Sequence, residues 1–159
     1  MSLMSSLDRD ELEQSESAAL RITRGARRLL ATIGYSSVCE LVLPNGRRAD
    51  VAALSGTGKI MIVEVKSCAA DFRADHKWQE YLDYCDELCF AVAPDGPIAL
   101  IPDSAGLIVA DSYAGEFVRR PQATSIASAR RRAMLLTLAR HAADRLHRLQ
   151  DPMARDHAS

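Results

Sequence analysis

The chain has 159 residues, 48% of them hydrophobic and 5% aromatic, enough for one globular domain that buries about two thirds of its unfolded surface and cramped for two. With 26% charged residues, 8 Gly, 6 Pro and a formal net charge of -1, the composition excludes the disordered and collagen-like classes. No apolar run approaches the roughly 20 residues that cross a bilayer, and the N-terminus lacks the basic start and apolar stretch of a secretory signal, so a cytoplasmic protein with no membrane partner is expected.

Residues 1–16 read as a polar lead-in. From Ser17 onward Ile22, Ala26, Leu29, Leu30 and Ile33 recur at helical spacing, and Gly34 follows where a C-terminal cap belongs. Three stretches of strand character come next, residues 38–43, 47–54 and 59–67. They are separated by Pro44-Asn45-Gly46 and Ser55-Gly56-Thr57-Gly58, turn sequences that predict an antiparallel meander. The pattern then predicts a helix over 74–85, with Trp78, Tyr81, Leu82 and Cys85 as its apolar stripe, and a fourth strand over 88–93. A helix between the third and fourth strands makes that pair parallel through a right-handed crossover. Residues 97–101, bounded by Pro97 and Pro102, predict a short helical turn, and 106–110 with 116–119 a small hairpin.

A long helix is predicted over 124–149, with Leu135, Leu138, Ala142, Leu146 and Leu149 on its buried side and Arg130, His141, Arg145 and Arg148 on its outer side. Residues 1–20 hold five acids and one base, whereas residues 119–149 hold eight arginines and the single acid Asp144, and 17 of the 20 basic residues are Arg. The guanidinium fork suits phosphate, so a nucleic-acid contact through Arg130, Arg145 and Arg148 stands beside the plainer reading of a solvated face. The expected fold is α/β: an αβββαβ core over 18–93 with a mixed sheet flanked by helices, then a C-terminal hairpin and long helix over 94–150. Residues 17–150 thus form one domain, with 151–159 as a tail. Cys39, Cys68, Cys85 and Cys89 are expected as reduced thiols, since a strong zinc site shows two close pairs and these do not.

Chemistry concentrates on the second and third strands. Pairing Leu54 with Ile60 sets Ala52 opposite Ile62 and Asp50 opposite Glu64, with the two Cβ atoms about 4.5–5.5 Å apart. Carboxylates held that close repel unless a proton or a cation sits between them, and a divalent metal is the natural occupant. Lys66 stands two residues beyond Glu64 on the same face, where its ammonium can stabilise a hydroxide or a phosphate oxygen. The competing reading is an ion-pair network on a solvated sheet face, but the apolar continuation through Ala52, Leu54, Ile60 and Ile62 predicts a face covered by helix. Glu40 joins as a third carboxylate if residues 44–46 form a three-residue loop with Gly46 left-handed. A two-residue Asn45-Gly46 turn sends it to the opposite face. On the next helix Lys77 and Tyr81, four apart, can hold a phosphate or stack on a base. Trp78 is expected in the core, and Asp75 and His76 in capping or surface roles. Arg48 lies beside the pair as a further phosphate contact.

Arg48-Ala49-Asp50 and Glu64-Val65-Lys66, thirteen residues apart on adjacent strands, resemble the PD-(D/E)xK nuclease signature. Gly46 through Asp50, Glu64-Val65-Lys66, Asp75-His76-Lys77-Trp78, Tyr81 and Cys85-Asp86 are similar to the MmcB-type bacterial DNA repair proteins. The resemblance implies a restriction-endonuclease-like fold and Mg²⁺- or Mn²⁺-dependent cleavage of DNA, with Asp50, Glu64 and the Val65 carbonyl as metal ligands and Lys66 orienting the attacking water. It also puts Gln79 and Tyr81 in a Gln/Tyr helix element, and Glu16 is the candidate for a helix-borne acid that some relatives use. Ala49 departs from the motif's Pro, which shapes backbone and binds no metal. A DNA-repair nuclease is the leading expectation, with DNA as partner and a homodimer or a repair-protein complex left open. The alternatives are a nuclease-fold protein that binds DNA or a repair partner without cutting, and a structural domain whose basic helix docks on an acidic protein.

Overall fold

The computed structural model describes residues 17–75 and 77–154; the polar lead-in with Glu16, His76 and the end of the tail lie outside them. Helix α1 (Ala18–Thr32) starts at Ser17, whose hydroxyl accepts the Leu20 N–H at 3.3 Å, and ends before Gly34, which takes φ +87°. The expected meander follows as β1 (Tyr35–Val42), β2 (Arg48–Ser55) and β3 (Ile60–Val65), antiparallel throughout. Strand β4 (Glu87–Val92) runs parallel to β3, as the crossover requires. A single 3-10 turn spans Ile98–Leu100. Strands β5 (Gly106–Ala110) and β6 (Gly115–Arg119) form the expected hairpin, and β5 also pairs parallel to β4, so all six strands join one mixed sheet in the order β1-β2-β3-β4-β5-β6.

Period-two alternation divides the sheet into two covered faces. Ile22, Ala26 and Leu30 of α1 pack against Val51, Val63, Ala91 and Ile108. The helix lies so close to the hairpin that a Cβ at Gly25 would collide with the backbone oxygens of Asp111 and Ala114. On the opposite face Ala52, Ile60 and Ile62 are covered by Tyr81 and Cys85 and by Met134 and Leu138 of α3 (Ser128–Gln150), which confirms the helix-covered face expected there.

Two expectations are corrected. Residues 74–85 do not make one helix: a short α2 (Ala69–Ala74) is followed by a 3-10 helix (Trp78–Tyr84). The chain is extended at Asp75 (φ -91°, ψ 91°), whose carboxylate is held by Lys66 and by the Lys77 N–H. A 3-10 helix aligns residues three apart, bringing Trp78 edge-on to Phe90 and burying Tyr81. On α3 the buried residues are Met134 and Leu138, with Leu135 only half-buried; Ala142 is exposed, and so are Leu146 (55%) and Leu149 (81%). The spacing is helical, but the last turns of α3 have no sheet beneath them.

The start of α3 is fastened by a contact that hydrophobic patterning does not reveal. Buried Asp86 accepts both arms of Arg131, at 2.6 and 2.7 Å, and the Ile60 N–H at 2.8 Å, while Arg131 also donates to the Gly58 carbonyl. Burial opposes ionisation, yet Arg131 and the backbone donors hold the Asp86 carboxyl below its usual range. All four cysteines are free thiols; burial raises those of Cys85 and Cys89, so these two behave as small core hydrophobes.

Candidate active site

The site begins with a turn. Leu43 donates to the Arg47 carbonyl at 2.7 Å and accepts the Gly46 N–H at 2.9 Å, with Gly46 at φ +84°: the three-residue loop, not the two-residue one. Leu41 therefore pairs with Ala49 and Cys39 with Val51, which sets Glu40 level with Asp50. On the other side of β2, Leu54↔Ile60, Ala52↔Ile62 and Val51↔Val63 set Asp50 level with Glu64.

The β2–β3 ladder stops at Val51↔Val63, and the carboxylates take the next backbone donors. Asp50 accepts the Val65 N–H at 2.8 Å, and Glu64 accepts the Asp50 N–H at 3.1 Å. Each side chain is thus held by the other's strand. Glu64 is 4% exposed. Burial, and next the Asp50 charge, push its pKa up to about 8. Burial also raises Asp50, against the Val65 hydrogen bond and the Lys66 charge. In the absence of a cation the pair therefore shares a proton at neutral pH. An open cavity of about 740 Å³ is lined by Asp50, Glu64, Val65, Lys66, Arg47 and Arg48 among others. Two carboxylates beside a strand carbonyl form the hard, incomplete oxygen set that suits Mg²⁺, which keeps water and phosphate oxygens as its other ligands.

Lys66 is buried, and its ammonium lies 2.8 Å from Asp75. Burial opposes the ionised form of Asp75, but the bonds from Lys66 and the Lys77 N–H outweigh it and keep the pKa low. Asp75 takes the expected capping role, closing α2 and accepting the Lys77 N–H, and it also holds the lysine. Nine positions along the chain and the short helix α2 separate the two, a contact that no sequence period encodes.

The chain matches the model for MmcB-like DNA repair proteins over residues 7–153. It belongs to the MmcB-like family. A solved protein of unknown function from Silicibacter pomeroyi is 40% identical to it, with a TM-score of 0.86 over 91% of this chain and 99% of its own. No curated protein matches it.

In this MmcB-like chain the remaining candidates do not all converge. Glu40 keeps the expected register, but its backbone turns left-handed (φ 54°). Its exposed side chain lines a neighbouring cavity with Asp50, Val65 and Arg145, and among the described residues no three of His, Cys, Asp and Glu converge on one metal point. Tyr81 is no open platform. Its hydroxyl donates to the Arg48 carbonyl at 3.0 Å, the Arg47 guanidinium covers its ring at 5.0 Å, and its pKa rises, through burial first, to about 12. Arg47 also bridges to Asp75 and Glu80, and its buried Nε has no partner among the described residues. Arg48 is exposed at the cavity wall, whereas Lys77 and Gln79 are exposed outside it.

The outer stripe expected on α3 is broken. His141 faces the Cys39 carbonyl at 3.0 Å, and Arg130 pairs with Asp83 and lies over Tyr84. Arg145 lines the cavity that also contains Asp50, and Arg148 is exposed one turn further on. Among the described residues no helix is long and apolar enough to cross a membrane.

Proposed function

We propose that this MmcB-like protein is a divalent-metal-dependent nuclease that hydrolyses DNA phosphodiester bonds during repair in the cytoplasm. One observation carries the reading: two recessed carboxylates, each fixed by a backbone donor of the other's strand, share an open cavity with a lysine that is held in place. Asp50, Glu64 and the Val65 carbonyl are the groups that would hold Mg²⁺ or Mn²⁺, which when bound supplies Lewis-acid stabilisation of the phosphoryl group and a more acidic water. Lys66, pinned by Asp75, presents its remaining donors to the water oxygen that attacks phosphorus. Arg48 and Arg47 offset the phosphate charge while the P–O bond breaks, leaving a phosphate monoester and a hydroxyl end.

The test is incubation of labelled single-stranded, duplex and flapped DNA with Mn²⁺, comparing wild type with Asp50→Ala. The expected result is cleavage by the wild type alone, with DNA binding in EDTA retained by the variant. Binding without cleavage by the wild type on every substrate would leave a DNA-binding role in place of the nuclease.

A further inference from the structure

The outer face of α1 carries an arginine cluster that neither the family description nor the carboxylate site explains. Arg24, Arg27 and Arg28 line a cavity between α1 and the edge strand β1, with the half-buried Tyr35 in its wall. Arg27 is pre-set there by bonds from its Nε to the Ser37 hydroxyl and from its Nη2 to the Ser37 carbonyl, both 2.9 Å. Leu20, Thr23 and Cys39 line both this cavity and the next one, which adds Glu40, Asp50, Val65 and, from α3, Arg145. Asp50 and Val65 in turn line the main cavity with Glu64 and Lys66. Neighbouring hollows therefore share walls, in succession from the arginine face of α1 to the carboxylate pair.

We infer that this α1–β1 groove receives the phosphate backbone of a single DNA strand and leads it to Asp50 from the sheet edge, past Arg27 and Arg145. Among the described residues, Arg27, Arg28 and Arg145 outnumber Glu40 and Asp50 along these hollows, and a cationic groove with an aromatic side chain in its wall is how sequence-tolerant single-strand binding is built. The edge position matters as well. Glu64 is recessed where β2 and β3 part, so a lone strand lying between a helix and the strand beneath it reaches the carboxylates without a duplex having to enter. The inference rests on the proposed nuclease reading, and it relocates the nucleic-acid surface from the outer stripe of α3 to α1 plus Arg145.

The test is equilibrium binding of fluorescent oligodeoxythymidine in EDTA, by anisotropy across a salt series, so that no cleavage enters the readout. Arg27→Gln/Arg145→Gln should bind about tenfold more weakly, with a salt slope shallower by about 1.4, or about 0.7 for each single-strand phosphate that is no longer neutralised. Because Arg27 also braces Ser37, Leu20→Glu provides a second variant: it keeps every arginine and places a negative charge at an exposed position that lines both hollows. It should weaken binding as well, with an unchanged melting temperature. Arg130→Gln, in the first turn of α3 and paired with Asp83, should bind as wild type does. Wild-type affinity and slope in both groove variants would overturn the groove while leaving Asp50-dependent cleavage as a separate result. A wild type that binds no oligodeoxythymidine at low salt would overturn the groove together with the DNA reading.

Discussion

Removing the charge of Glu64 should make the metal-free protein more stable as pH rises. The ordinary glutamate value of 4.5 applies to the unfolded chain, and burial beside Asp50 lifts it to about 8 in the fold. A raised acid binds its proton more tightly when folded, so below pH 4.5 the site contributes nothing to the pH dependence of stability. Stability is then lost progressively as pH climbs to about 8. At about 1.4 kcal/mol for each pH unit of separation, the full penalty has an upper bound of about 5 kcal/mol, against a total stability of about 5–15 kcal/mol for a domain. Glu64→Gln keeps an oxygen for the Asp50 N–H and carries no charge, so its stability should lack this dependence. Urea melts in EDTA at pH 5, 6, 7 and 8 should show wild type and variant converging at the acid end and the variant ahead by a few kcal/mol at pH 8. Parallel curves with a constant offset would refute the assignment of a shared proton to this carboxylate pair.

Three further outcomes follow from the same geometry. Saturating Mn²⁺ at pH 7.5 should raise the melting temperature of wild type and leave Asp50→Ala unmoved, because a ligand that binds only the native state stabilises it; equal shifts by scanning calorimetry would mark a nonspecific ion effect. Asp75→Asn should lower the cleavage rate at least tenfold with little change in oligonucleotide affinity, since it frees the Lys66 ammonium without removing a groove cation; an unchanged rate in a stopped assay would dismiss Asp75 as a positioning residue. Arg131→Met should cost about 3–5 kcal/mol in denaturant melts by leaving the buried Asp86 carboxylate without its cationic partner, and a loss below about 1 kcal/mol would show that the backbone donors alone satisfy it.

Elements whose cause is local are legible in the amino-acid order. Gly58 can adopt φ +90° at little cost, so the Ser55-Gly56-Thr57-Gly58 turn sets the β2–β3 register, and the alternation of side chains along β2 and β3 puts Asp50 beside Glu64, whereas the place of Glu40 depended on which turn Pro44-Asn45-Gly46 makes. These are matters of turn chemistry and a period of two. The tertiary structure decided what depends on partners far along the chain. Whether residues 69–84 form one helix or two pieces turned on Asp75 reaching back to Lys66. Arg131 was committed to Asp86 across 45 residues, and Tyr81 was withdrawn from solvent by Arg47 and the Arg48 carbonyl. The helical spacing of Leu146 and Leu149 is real, yet burial needs a facing surface, and α3 outruns its sheet. Periodicity records which side of an element is apolar; only the packed chain supplies what lies against that side, and long-range charge pairing leaves no period to read.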